Sequence, residues 1–501
     1  MRHLFTHILR SILVVAALGV LLASCNEQPR EEVLKIYNWG DYIDEELLDE
    51  FEVWYEEQTG CKVHIVYQTF DINEVMLAKI EKGKADFDVV CPSEYIIERM
   101  MRNDLLEPIL TEEFEREINV KNINYFDCVS PYIKERFALL DHPVGKEPND
   151  YSVGYMWGTT GILYNTAYIT EEEALSWDLM FDERLAGKIL VKDAFRDVYS
   201  PMLVYARTLE AREAGLIGEE DRLPLDIDEA RERGLITLTA EGVEEPTVPT
   251  IEELMYHSDN ASIALVESYL KRMKRLVAGW EADFGKEMMT QNKAWINLMW
   301  SGDAVWAIEE AADVGVELDY AVPEEGSVVW FDGWVIPKYA KNKRAARYFI
   351  NYMCKPENAI RNMDATGYVS VVTTQEVLDY INSEEDYDEA IDLSYLFVDA
   401  DGNPLEGADS VFADPVLYPC RTVIDRCAMM HDSGDDTEKM LEMWSRVKGD
   451  NLSPSMLIFI IVSFALVIVW GVWRKVVAYR RKQKMLKRRR HAARKQTQQM
   501  R

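Results

Sequence analysis

Residues 34–38 read LKIYN, residues 62–68 KVHIVYQ and residues 87–91 FDVVC, three short apolar runs that predict buried strands. Between the first two, Asp44 to Thr59 places Leu47, Leu48, Phe51, Trp54 and Tyr55 on one helical face, and Gly60 supplies the stop. Helical spacing returns over 73–82 and 95–103. Strand, helix, strand, helix, strand with short connections makes βαβ units on a parallel sheet. Ligands of such sheets bind beyond the carboxyl ends of the strands. Three loops should therefore share one rim: Asn38-Trp39-Gly40-Asp41-Tyr42, Thr69-Phe70-Asp71 and Pro92-Ser93-Glu94-Tyr95. That rim is aromatic and acidic.

A second α/β region follows. Its candidate strands are Ile189 to Lys192 and Ala294 to Trp300, and its helices fall at 302–314, 342–354 and 356–364. Segment 209–260 is highly charged, contains Pro224, Pro246 and Pro249, and reads as an insertion. With 501 residues, the chain has room for two to four domains at roughly 150 residues each.

The formal charge of −33 argues against a nucleic-acid partner. It conceals an asymmetry, because residues 474–501 hold 13 Lys/Arg and no acid. At the other end Arg2 and Arg10 flank an apolar stretch from Ile12 to Leu22, the pattern of an export signal. It closes on Leu22-Ala23-Ser24-Cys25, which resembles a bacterial lipobox with Cys25 as the lipidated residue. Met456 to Trp473 is uncharged, predicting a transmembrane helix over 454–473 with the basic tail 474–501 on the cytoplasmic side. The six other cysteines, Cys61, Cys91, Cys128, Cys354, Cys420 and Cys427, show no CxxC spacing, and buried free thiols are expected.

Enzyme signatures are scarce. No GxSxG elbow, P-loop, HExxH or Gly-rich dinucleotide fingerprint occurs, and the seven histidines are dispersed, so neither catalysis nor a metal nor a cofactor is expected. Trp beside Asp recurs instead: Trp39-Gly40-Asp41-Tyr42, Trp300-Ser301-Gly302-Asp303 and Trp330-Phe331-Asp332. Indole faces attract ammonium groups and carboxylates bond them, so the pattern suits a linear polyamine.

On these motifs, together with Phe87-Asp88-Val89-Val90-Cys91-Pro92-Ser93, Trp157-Gly158-Thr159-Thr160-Gly161 and Gly367-Tyr368, the chain resembles the spermidine/putrescine-binding proteins of bacterial ABC importers over about 33–448. The resemblance implies an α/β two-lobe periplasmic-binding clamshell with its cleft at the hinge. The N-lobe would comprise 33–153 and 332–368, the C-lobe 158–330 and 371–447. It implies ligand contacts from Trp39, Asp41, Tyr42, Ser93, Tyr95, Asp197, Trp300, Asp303, Trp330, Asp332 and Tyr368. Asp41 and Asp303 look like the putrescine-preferring type, Tyr95 and Trp330 like the spermidine type, and Ala194 stands where spermidine-preferring members tend to carry an acid. Expected partners are the polyamine, the permease subunits of an importer, and the membrane through lipid and C-terminal helix. A membrane-anchored sensor of polyamines is the alternative.

Overall fold

The run at 34–38 lengthens into strand β1 (Val33–Trp39) in the computed structural model, pairing in parallel with β2 (His64–Phe70) on one side and β3 (Val89–Val90) on the other. Gly60 ends the intervening helix Glu46–Thr59 in the left-handed region, where a residue without Cβ fits at no steric cost. The structure describes residues 29–449 except 83–84, 241, 283 and 385–386, together with 462, 463, 470 and 474. Two compact units divide the chain, 1–440 and 441–501.

Further along come β4 (Leu106–Glu107), the long β5 (Ser152–Asn165) and β6 (Ile189–Lys192). A hairpin of β7 (Ile236–Leu238) and β8 (Glu244–Pro246) precedes β9 (Val277–Glu281), β10 (Ile296–Trp300) and β11 (Leu318–Ala321). The long β12 (Ser327–Pro337), β13 (Val369–Ser370) and β14 (Cys427–Ala428) complete the strands among the described residues.

β5 and β12 join the two lobes. They pair antiparallel from Val329 opposite Thr159 to Val335 opposite Ser152. β3 meets β12 at Val335, whereas β10 meets the other half of β5, from Trp300 opposite Thr160 to Ile296 opposite Tyr164. The resulting order is β2-β1-β3-β12-β5-β10-β6-β9. Because β3 runs antiparallel to β12 and β10 antiparallel to β5, the carboxyl ends of β1–β3 face those of β6, β9 and β10. Between them lies the middle of β5. Every residue of β5 and of β12 is buried, as in strands covered on both faces. This is a two-lobe α/β clamshell with its cleft over the crossing strands.

Segment 209–260 starts inside the helix Phe195–Glu213, carries the β7–β8 hairpin, and anchors itself through buried Leu223, Ile251 and Leu254. All six cysteines among the described residues are unpaired; Cys91, Cys354 and Cys427 are buried and Cys61 is exposed. Cys25 lies outside the described residues.

One expectation is corrected. Among the described residues no helix is long and apolar enough to cross a membrane, so the expected C-terminal transmembrane helix is not one of the described elements. Crossing takes about 20 consecutive apolar residues. The longest described helix, Phe195–Glu213, has 19 residues and carries Arg196, Asp197, Arg207 and Glu210. The single-pass anchoring and cytoplasmic tail that depended on that helix lose their support; the span 454–473 lies, except for 462, 463 and 470, outside the described residues.

The close approach of β11 to β5 is testable. A Cβ on Gly161 would fall 2.5 Å from the Ala321 carbonyl oxygen and 2.6 Å from Cζ of Tyr320. Backbone cannot yield as a flexible side chain can, so Gly161→Ala should cost roughly 1–3 kcal/mol by overpacking. Urea unfolding should show a lower midpoint with an unchanged slope; wild-type stability would contradict this packing.

Candidate ligand-binding site

Each βα junction around the cleft places an acid in the first turn of the helix it starts. Glu74 opens the helix Asn73–Glu81 after β2, and Glu94 opens Glu94–Arg102 after β3. Asp197 stands in the first turn of Phe195–Glu213 after β6, and Asp303 in that of Ser301–Asp313 after β10. The positive end of a helix dipole favours an anion at such positions. A fifth acid, Asp332, sits on β12 where the strands cross. There Asp332 opposes Met156 and Gly333 opposes Gly154, leaving Tyr155 without an opposite residue, a bulge that sharpens the local twist.

Asp332 is only 6% exposed, and its Oδ1 accepts a 2.6 Å hydrogen bond from Ser93 Oγ. Asn73 Nδ2 in turn donates to Ser93 Oγ at 3.0 Å and to Tyr95 Oη at 3.1 Å, while Tyr95 donates to Glu74 Oε1 at 3.0 Å. Ser93, Tyr95 and Asp332 are thus held as one hydrogen-bonded group. Burial pushes the Asp332 carboxyl up to about 7, partly opposed by Ser93 and by the nearby Tyr42 hydroxyl and reinforced by Asp197. Tyr42 stands close enough for that influence, yet its hydroxyl makes no well-formed hydrogen bond among the described residues.

The neighbouring acids behave alike. Burial raises Asp197, and Trp300 Nε1, donating to its Oδ1 at 2.9 Å, only partly opposes this. Burial raises Glu94 well above the carboxylate range, with Asp332 and Asp197 adding repulsion. Its Oε2 accepts from the Phe331 amide at 3.0 Å, but buried Oε1 has no partner among the described residues. Glu74 is raised by burial, with Asp197 again contributing. Four carboxylates therefore feel one another in a poorly solvated space, the condition under which a cation gains most.

The wall is aromatic. Tyr42 meets Tyr368 edge-on at 5.3 Å, and Tyr368 meets Trp330 at 5.6 Å. Gly302 permits this, since a Cβ there would stand 2.4 Å from the Tyr368 ring. Trp39 leans on Phe70 at 4.5 Å. The indole N–H groups of Trp39 and Trp330 are buried without partners among the described residues. A buried unmet polar group costs about 1–3 kcal/mol, so these two indoles, the Tyr42 hydroxyl and the Glu94 oxygen together mark a surface built to meet something else.

Two sequence candidates are placed differently from the rest. Asp41 is exposed, in the left-handed region at φ 50, at the turn after β1. Asp303 already has internal cations: Lys192 Nζ at 2.6 Å and Lys286 Nζ at 3.4 Å. Burial works to raise its carboxyl, but these two ammoniums more than offset it and hold it low. Tyr42, Ser93, Tyr95, Asp197, Trp300, Trp330, Asp332 and Tyr368 are brought together around the cleft by the contacts above, whereas Trp39, at the end of β1, touches Phe70. Glu74, Glu94 and Lys192 are not among the ligand contacts implied by the sequence, although Glu94 stands in the rim loop Pro92-Ser93-Glu94-Tyr95. For the two glutamates a signal existed, the first-turn acid after each strand.

A family model described as bacterial extracellular solute-binding protein matches residues 46–387, more than half of the chain. The spermidine/putrescine-binding periplasmic protein of Escherichia coli K12 is 24% identical over 360 residues, covering 72% of this chain and 83% of that one. The putrescine-binding periplasmic protein SpuD of Pseudomonas aeruginosa is 25% identical over 446 residues, covering 87% and 97%. Among solved structures, the spermidine/putrescine ABC transporter substrate-binding protein PotD of Streptococcus pneumoniae superposes with a TM-score of 0.53 at 26% identity, covering 83% of this chain and 98% of that chain.

The raised carboxyl of Asp332 carries a signed consequence for stability. The folded chain holds a proton that an unfolded Asp, near pH 3.9, releases earlier, so this contribution is complete below about pH 4 and lost as pH rises through about 7. Three pK units amount to something on the order of 4 kcal/mol. Without ligand, urea stability should fall as pH rises from about 4 to about 7, and Asp332→Asn should flatten that slope. An unaltered slope would mean that Asp332 ionises normally.

Proposed function

Because the chain belongs to the bacterial extracellular solute-binding proteins, which are not enzymes, its cleft is a ligand site, and we propose that it takes protonated polyamines, putrescine or spermidine, outside the cytoplasmic membrane and delivers them to the permease subunits of an ABC importer. One observation carries the choice of ligand: Glu74, Glu94, Asp197 and Asp332 are packed together, raised by burial, and none is ion-paired among the described residues. Anionic or neutral solutes would leave these carboxyls holding protons, since their ionisation is what burial opposes. An ammonium would meet their charged form, and the Trp39, Trp300 and Trp330 rings would cover the methylenes between two ammoniums. The named ligands of the curated relatives support the same reading.

In this reading Trp39, Asp41, Tyr42, Ser93, Tyr95 and Asp332 act from the N-lobe side, 33–153 with 332–368. Asp197, Trp300 and Trp330 act from the C-lobe side, 158–330 with 371–447, where Asp303 is held by Lys192 and Lys286, and Tyr368 lies at the crossing. Ligand that binds both sides at once favours the closed lobes, which is the differential contact closure requires. Lipidation at Cys25 would keep the clamshell beside its importer. No nucleic acid and no cofactor takes part.

Isothermal titration of the full chain with putrescine, spermidine, spermine and amino acids tests the proposal. Amines should bind and amino acids should not. Asp332→Asn keeps the acceptor for Ser93 but removes the charge, and should weaken amine binding by roughly 1.5–3 kcal/mol. Binding should also weaken as pH falls from 8 to 6, because the ammonium must displace a proton from Asp332. Affinity indifferent to both changes would remove Asp332 from the site.

A further inference from the structure

The cleft contains a cation of its own. Lys192 ends β6 with its side chain only 2% exposed, Nζ 2.6 Å from Asp303 Oδ2 and 3.6 Å from Glu281 Oε1. The same Nζ stands 4.4 Å from the centroid of the Trp300 ring, within cation–π range. A carboxylate beneath and an indole face above are the partners that one end of a polyamine seeks. Here the chain fills that position itself. We propose that Lys192 is a built-in ammonium that occupies the Trp300–Asp303 end of the cleft and thereby limits the ligand to a diamine.

The seat of this lysine is rigid. Glu281 is fully buried and held by the Gly285 amide at 3.0 Å and Asn297 Nδ2 at 3.1 Å. The second oxygen of Asp303 faces Lys286 Nζ at 3.4 Å. Trp300 divides the space: its face covers Lys192, while its indole N–H binds Asp197 at 2.9 Å. The acids left for a ligand are those beyond that ring, Glu74, Glu94, Asp197 and Asp332. A short diamine can place both ammoniums among them. The third ammonium of a longer chain has to approach Lys192, and two like charges in a desolvated space repel strongly. Sequence alone puts Asp303 among the ligand contacts; in the fold its charge is already spent on Lys192 and Lys286.

This inference rests on the polyamine reading, and one set of titrations separates the two. Putrescine and spermidine are titrated into the full chain as wild type, Lys192→Met and Lys192→Gln. Glutamine keeps a donor toward Asp303 should methionine leave the buried acids too exposed to one another. Wild type should prefer putrescine, and each substitution should move the spermidine-to-putrescine affinity ratio at least tenfold toward spermidine. For a substitution that folds only with ligand present, the ratio is read from the melting-temperature rise each amine produces. An unchanged ratio, or a wild type that prefers spermidine, overturns the role of Lys192 while leaving polyamine binding intact. A wild type that binds neither amine overturns the polyamine reading and this inference with it.

Discussion

The antiparallel pairing of β5 with β12 is the constraint on which the rest depends. Two strands that run through both lobes make each lobe's sheet an extension of the other's, so the cleft lies over continuous hydrogen-bonded backbone. That backbone is buried throughout, which removes water as an alternative partner for its amides and carbonyls. The break in register at Asp332 is therefore conspicuous. A bulge at the crossing re-aims side chains without ending the pairing, and the carboxylate it presents is the one that Ser93 and Asn73 hold in place.

Around this crossing the parallel sheets impose their own logic. Each strand delivers its carboxyl end to the cleft, and each following helix begins there with an acid in its first turn. Helix dipoles make such acids tolerable, and burial makes them costly as charges. The compromise seen at Glu74, Glu94, Asp197 and Asp332 is a set of carboxyls whose protons are held more tightly than in water. Such a set is stable enough to fold and still short of positive charge. Asp303 is the exception. It stays low because Lys192 and Lys286 supply the charge internally, so two acids on neighbouring helices of the same lobe play opposite parts.

A second buried polar cluster ties the lobes further from the cleft. Glu98, on the helix Glu94–Arg102, shares a 3.0 Å hydrogen bond between its Oε2 and His431 Nδ1, and the imidazole stacks on Tyr256 at 3.8 Å. Arg196, next to Asp197, donates to the His431 carbonyl at 2.8 Å and to Ser433 Oγ at 2.6 Å. The helix turn that carries the cleft acid Asp197 is thus anchored, through Arg196, by the chain's return to the N-lobe helix.

Much of this was legible in the residues. The short apolar runs announced β1 and β2 within two residues at each end, the run Ile189 to Lys192 matched β6, and Gly60 marked a helix end, because burial periods and a left-handed cap are local matters. The recurrence of Trp beside Asp pointed to the cleft for the same reason: both residues of each pair sit within one turn or strand. What the sequence could not decide was which charges remain available. Lys192 and Asp303 are 111 residues apart, Ser93 and Asp332 239 apart, and only the tertiary fold closes those distances. A carboxylate's ionisation depends on burial and on neighbours at a few ångströms, and Coulomb energies at that range outweigh anything residue type alone conveys. Sequence determined the class of fold and the chemistry of its rim; the fold decided that one acid is met by internal lysines while four are raised by burial and have none among the described residues.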